Sequence, residues 1–200
     1  MPGDVYVGVD SHTNTTGALG AFACGLGHTD IAYVLLNGKI WFKVPETYYF
    51  KIHGKLPDHV MAKDLILKII GDIGTDGGAY QTMQFGGSGV DEMSVESRLT
   101  LCNMTTEAGA KNGIVEPEQK VVDYLTQRGE TKKNLIKGDD DAEYAKMFEF
   151  EGKIYDKTEL EYFHNMLSCN NFLILNKDYK LLALYGYSIT CYKRSNTVLD

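Results

Sequence analysis

Paired cysteines are missing from this chain. The four it has, Cys24, Cys102, Cys169 and Cys191, lie far apart with no Cys-x-x-Cys pair, which excludes both a disulfide framework and a zinc pattern and leaves reduced, buried thiols as the expectation. Basic charge is short as well: 20 Lys and Arg stand against 27 Asp and Glu, a formal net charge of -7. Such a balance gives no electrostatic reason to bind nucleic acid or an anionic membrane, so an anionic ligand has to be captured by local groups. No apolar run is long enough to span a bilayer, and Met1-Pro2-Gly3-Asp4 lacks the basic segment and apolar core of a secretory signal. The expected setting is the cytoplasm. The glycine-rich stretch from Gly74 to Tyr80 lacks the Gly-Lys-Ser/Thr ending of a phosphate-binding loop, so it reads as a tight connection. There is no internal repeat.

What is present has the composition of a folding domain, 44% hydrophobic and 24% charged over 200 residues. Val5 to Val9 is β-prone and feeds a polar loop from Asp10 to Thr16, after which a small-residue segment from Gly17 to Gly27 reads as a helix. Ile40 to Val44 and Tyr48 to Ile52 read as two strands separated by Pro45, in a hairpin or strand-turn-strand. Asp58 to Ile73 is the clearest amphipathic helix, with Asp58 as its cap and Gly71 and Gly74 as its stop. Gln81 to Phe85 reads as a strand. Val95 to Ala108 reads as a helix capped by Ser94 and stopped by Gly109, and Gly113 to Val115 as a strand. Pro117 suits the first turn of a further helix through Leu125. Strand and helix alternate, so an α/β layer fold is expected. Beyond Leu125 a polar linker holding Lys132-Lys133 and Gly138 to Asp141 precedes Met147 to Phe150. Asn171 to Leu184 and Tyr185 to Tyr192 then read either as two strands of a hairpin around Tyr185-Gly186 or as sequence that has no native context. The boundary is placed between a domain at 1–150 and a divergent segment at 151–200.

The run from Asp10 to Ala21, Asp-Ser-His-Thr-Asn-Thr-Thr-Gly-Ala-Leu-Gly-Ala, resembles the Asp-Ser-His-Thr signature of the aconitase and isopropylmalate dehydratase family. Three more blocks agree in order and spacing: Trp41 to Thr47, Ala62 to Gly71, and Arg98 to Met104 with Glu107 to Ala110. Asp-Ser-His alone is a weak signal; four collinear blocks are a strong one. Their wording is closest to the isopropylmalate and homoaconitate branch. The resemblance implies a three-layer α/β/α aconitase-type domain and the reversible dehydration of a hydroxy di- or tricarboxylic acid. It also implies a 4Fe-4S cluster, and as partners a small swivelling subunit and the later part of a large subunit.

An anion pocket fits the residues themselves. In open α/β sheets a ligand sits beyond the carboxyl end of a strand, where backbone amides at a helix start can hold it, and Asp10 to Gly17 falls there. Asp10 and His12 form the leading pair, with His12 able to donate a proton to a departing hydroxyl and to be tuned by Asp10 or Glu107. By resemblance, Asn103 and Glu107 line the site, and their spacing of four puts both on one helical face. Ser11 and Thr13 are either substrate contacts or loop residues that bond their own backbone. His28, His53, His59 and His164 are scattered and are assigned nothing.

The chain also departs from the family. Its members hold the cluster with one cysteine in a Gly-Ser-Cys-Thr-Asn segment and two in a Cys-x-x-Cys pair, all downstream of the matched region. Leu167 to Asn171 is a faint echo of the first, and nothing echoes the second, so no metal ligand is assigned. Gln84 stands where relatives have Glu. The family's base, a serine, and several arginines also lie in later parts, so the isolated chain is expected to be inactive. A non-catalytic carboxylate-binding or assembly module is the alternative.

Overall fold

A computed structural model describes residues 1–58, 60–130, 135–139 and 141–152, and the backbone of strands at 173–175, 181–185 and 188–192. The chain divides into two compact units, Met1–Lys153 and Ile154–Asp200. His59, Lys132-Lys133, Asp140, His164 and the Leu167 to Asn171 echo lie outside the described residues.

Two parallel sheets build the first unit. Strand β1 (Val5–Gly8) pairs in parallel with β2 (Phe22–Gly25). The 3-10 helix Ser11–Leu19 connects them, and helix α1 (His28–Asn37) follows. The second sheet holds β3 (Thr47–His53), β4 (Thr82–Gly86), β5 (Asn112–Val115) and β6 (Lys146–Glu151) in the order β5-β4-β3-β6, every pair parallel. Helix α2 (Ala62–Ile73) crosses from β3 to β4. A short α3 (Ser88–Asp91), α4 (Val95–Asn103) and a second 3-10 helix (Met104–Ala108) lead to β5, and α5 (Gln119–Thr126) precedes β6. Parallel pairing needs such crossovers, and helix-covered parallel sheets are the α/β pattern that the alternation of elements predicts.

The core sits on the four-stranded sheet. Phe50 and Ile52 of β3 and Met83 and Phe85 of β4 are buried together with Leu65, Ile66 and Ile69 of α2. The Phe50 ring lies between Phe85, at 5.5 Å, and Phe148, stacked at 4.8 Å. Such interdigitated aromatic and branched side chains remove apolar area from water, which is the main favourable contribution to packing in this half.

Several expectations hold. Ser94 caps α4, its hydroxyl accepting from the Ser97 amide at 3.2 Å, and Gly109 ends the following 3-10 helix at φ 73°. Others are corrected. Within the segment read as the Gly17 to Gly27 helix, Phe22–Gly25 is instead strand β2, because pairing with β1 supplies its hydrogen bonds. The polar loop at Asp10 to Thr16 is wound into the first 3-10 helix. Ile40 to Val44 forms no strand, and β3 takes parallel partners in place of a hairpin. Helix α2 begins at Ala62, not at Asp58: the Met61 amide donates to the Asp64 carboxylate at 2.8 Å, which makes Met61 the cap. Helix α5 begins at Gln119, past Pro117.

In the second unit, β7 (Leu173–Leu175), β8 (Leu181–Tyr185) and β9 (Ser188–Tyr192) form an antiparallel sheet. β8 and β9 pair as the expected hairpin requires, with Tyr185 opposite Ser188; Gly186 lies outside the described residues, and β7 adds a third strand.

Candidate active site

The first 3-10 helix starts where β1 ends. Asp10 is its N-cap, and the Asp10 carboxylate accepts the His12 amide at 2.6 Å. His12 has φ -87° and ψ 15°, non-helical values at a kink between two short turns. That bridge region is sparsely occupied and is where many reactive side chains sit. The helix then runs against β5 with no room to spare: a Cβ on Gly17 would stand 1.7 Å from the Gly113 carbonyl oxygen. Gly25 is equally constrained, since a Cβ there would come within 2.6 Å of the Asp10 carbonyl. Two glycines thus set the height of the loop that carries the site.

Across the gap stands the second 3-10 helix. Glu107 Oε1 lies 3.0 Å from His12 Nε2, although the two residues are 95 positions apart in sequence. The other ring nitrogen, Nδ1, lies 3.0 Å from Ser11 Oγ and 3.7 Å from Asp10 Oδ1. A carboxylate can only accept, so Nε2 carries the proton shared with Glu107, and Nδ1 is the nitrogen that faces the Ser11 hydroxyl. His12 is 39% exposed and Glu107 30% exposed, so the pair is held and yet reachable. Glu107 Oε2 is buried and makes no hydrogen bond.

The remaining expected residues take different places. Thr13 Oγ1 donates to the Asp10 carbonyl at 2.6 Å, so it bonds its own loop. Asn103, the last residue of α4, donates from Nδ2 to Thr15 Oγ1 at 2.9 Å. The α-helix gives way to a 3-10 turn between Asn103 and Glu107, which alters the simple one-face geometry expected from their spacing. Gln84 Nε2 donates to Glu116 at 3.3 Å, away from His12. Sequence reasoning passed over Asn14, Thr105 and Thr106. Asn14 is buried and donates from Nδ2 to Thr105 Oγ1 at 2.7 Å and to Thr106 Oγ1 at 2.8 Å. The usable signal was two adjacent threonines immediately before Glu107.

A 4Fe-4S cluster needs thiolates, and the described residues do not fit one. Cys24 and Cys102 are both buried and free. Burial pushes both thiols up, far up for Cys102, and the nearby Lys111 and Arg98 offset this only in part. No group of three or more His, Cys, Asp or Glu among the described residues could hold a metal ion. Cys169 and the Cys191 side chain lie outside the described residues. Likewise, no helix among the described residues is long and apolar enough to cross a membrane.

Several known proteins are similar to this chain in sequence. The chain is 51% identical over 151 residues to 3-isopropylmalate dehydratase large subunit 1 of Pyrococcus abyssi, covering 76% of this chain and 36% of that protein. It is 52% identical over 143 residues to the large subunit 1 of Methanopyrus kandleri, covering 72% and 34%. It is 48% identical over 151 residues to the large subunit of Aquifex aeolicus, covering 76% and 35%. The chain therefore spans about a third of the length of the curated relatives it matches. The model of the aconitase family (aconitate hydratase) matches residues 1–170, and with that match over a domain of parallel sheets the chain belongs to the aconitase family.

Proposed function

We propose that this chain supplies the proton-handling wall of a 3-isopropylmalate dehydratase-type hydro-lyase site, acting on a hydroxy di- or tricarboxylic acid in the cytoplasm. The observation that carries the reading is the His12–Glu107 pair at 3.0 Å, with Ser11 on the opposite ring nitrogen. In the dehydration direction the doubly protonated His12 ring gives one proton to the departing hydroxyl, which leaves as water, and the neutral ring that remains is held in place by Glu107. In the hydration direction the ring takes that proton back from water. Asp10 and Ser11 shape the near side of the pocket, and Asn103 braces it through Thr15. The base that removes the carbon-bound proton comes from elsewhere in a complete enzyme. The cluster supplies Lewis acidity to the family's chemistry, and its cysteines belong to later sequence that this chain does not match.

The partners follow the same division. We read the chain as one part of a large subunit whose remainder covers α1 and the outer edge of β1, with a small swivelling subunit closing the site. Two observations support this: α1 contains no buried residue, and Val5 of β1 is 67% exposed. A two-stranded parallel sheet with a bare edge is also rare as a finished structure.

A chimera tests the proposal. The matched 151 residues of the Pyrococcus abyssi large subunit are replaced by the corresponding residues of this chain and assembled with that enzyme's small subunit. Hydration of the unsaturated acid is expected, with His12→Ala lowering kcat by about 10² to 10⁴, the usual worth of a general acid. A chimera that His12→Ala leaves fully active sinks the reading. If the chimera is inactive while the 200-residue chain binds malate analogues equally well with and without His12, the non-catalytic module replaces it.

A further inference from the structure

We infer that Asn14 is a positioning residue that holds His12 in register with Glu107 through a fixed direction of hydrogen bonds. The inference rests on reading those two side chains as the reactive pair. Asn14 is 1% exposed. It spends both protons of Nδ2, one on Thr105 Oγ1 at 2.7 Å and one on Thr106 Oγ1 at 2.8 Å. Each hydroxyl has already committed its own proton. Thr105 donates to the Cys102 carbonyl at 2.8 Å, and Thr106 donates to the Ser11 carbonyl at 3.0 Å. Only a double donor therefore satisfies this spot, which sets the amide orientation and leaves Asn14 Oδ1 buried with no partner.

The bonds close a ring around the reactive pair. From Asn14 the path runs to Thr106, whose backbone neighbour is Glu107, and from the Thr106 hydroxyl to the carbonyl of Ser11, whose neighbour is His12. The His12–Glu107 contact completes the circuit on the open side. The ring clamps the two 3-10 helices at positions adjacent to both functional side chains, so a slip of either helix has to break three hydrogen bonds at once. Shape alone does not call for an amide here. A leucine has the same branched outline, though it is bulkier, and would leave no orphaned oxygen in the interior, where an unpaired polar atom is a standing penalty. The amide is thus explained by what it holds in place.

The test uses the full 200-residue chain labelled with 15N at histidine, the His12 ring being assigned by its loss in His12→Gln. At a pH where the ring is unprotonated, wild type is expected to show a single tautomer with the proton on Nε2, the nitrogen that faces Glu107. In Asn14→Leu the ring signals should move toward a mixture of both tautomers, with circular dichroism unchanged. Thr106→Val, which removes the receiving hydroxyl, should do the same. If Asn14 acts through Thr106, the double variant should be no worse than the worse single one. In the chimera Asn14→Leu should lower kcat about 10- to 100-fold, as a misplacement on the ångström scale does, with a much smaller change in KM.

A folded Asn14→Leu or Thr106→Val that keeps the wild-type tautomer overturns the inference, as do defects that simply multiply in the double variant. Should Asn14→Leu fail to fold, the Thr106→Val ring signals alone decide. The two readings fail separately. A dehydratase reading that is wrong appears as an inactive wild-type chimera, whereas a wrong role for Asn14 appears as an unchanged ring in an active one.

Discussion

The two parallel sheets are held together by different physics. The four-stranded sheet is closed by apolar packing, with Phe50, Ile52, Met83, Leu65, Ile66 and Ile69 all fully buried. The two-stranded sheet has half a core. Its β2 strand is backed by Ala23 and Cys24, both buried, while Tyr6 of β1 is 53% exposed and Leu36 of α1 is 85% exposed. What anchors it is polar and steric. Asn112 Oδ1 accepts the Ala23 amide at 3.1 Å, Gly17 fits against the Gly113 carbonyl, and Asn14 ties the first 3-10 helix to the second. The His12–Glu107 pair proposed as the reactive one lies on this polar seam, not in the apolar core, so stability and function should respond to different substitutions.

Phe50→Ala should give the largest effect, because a fully buried aromatic side chain is lost with little chance for the sheet to collapse around it. A cost of about 3–5 kcal/mol is expected, read from urea or thermal unfolding. A cost below about 1 kcal/mol would mean that the four-stranded half is not the main source of stability. Gly17→Ala should come next, at about 3 kcal/mol, the upper end for overpacking, since its methyl group meets a backbone carbonyl that cannot rotate away. It should also disturb the His12 ring signals, which Phe50→Ala should leave unchanged in the fraction that remains folded. Equal disturbance by both would erase the distinction between core and seam.

The same contrast explains what could be read from the sequence. Helices α2 and α4 were legible because their apolar faces and caps answer to the core they pack against, as Leu65, Ile66 and Ser94 show. Strand β2 was not. Ala21-Phe22-Ala23-Cys24 is a run of mostly small residues whose extended form depends on pairing with β1, a partner that local propensity does not see. Helix α1 went unassigned because Ile31, Tyr33, Val34, Leu35 and Leu36 have no polar face opposite a buried one; none of them is buried here. The site was half legible. Asp10 and His12 follow from the loop after the first strand, Glu107 from the resemblance, and the structure brings His12 and Glu107 into contact. The threonine pair and Asn14 carry no signature by themselves, because their importance lies in which hydroxyl protons are already spent.

Alkaline pH should separate the halves more gently. The Cys102 thiol is raised by burial against the α4 side of the core, so it stays protonated when folded and ionises when unfolded above about pH 8.5. The unfolded state then holds fewer protons than the folded one, and stability falls as pH rises. The contribution is fully present below about pH 8.5 and declines above it. Cys24, raised in the same direction, adds to the slope. Melting temperatures from pH 7 to 10.5 should fall less steeply in Cys102→Ala than in wild type, whatever the absolute stability of that variant. Parallel curves would show that this thiol is not neutral in the folded core.

The smallest effect is expected where the sequence looks most hydrophobic. Leu35 and Leu36 are 81% and 85% exposed on α1, and Trp41 beyond it is 85% exposed, so replacing Leu36 with Lys removes almost no packing in this chain. The change in unfolding free energy should stay within about 0.5 kcal/mol, as for an ordinary surface position. An isolated 10-residue helix has little stability of its own in water, so α1 should also show the fastest amide exchange of the helices in the first unit. Assembled with the rest of a family large subunit, as in the chimera, the same Leu36→Lys change should become costly and α1 should gain protection, because its apolar side would then be covered. A Leu36→Lys penalty of several kcal/mol in the 200-residue chain alone would break the comparison at its root, since it would require this surface to be packed already.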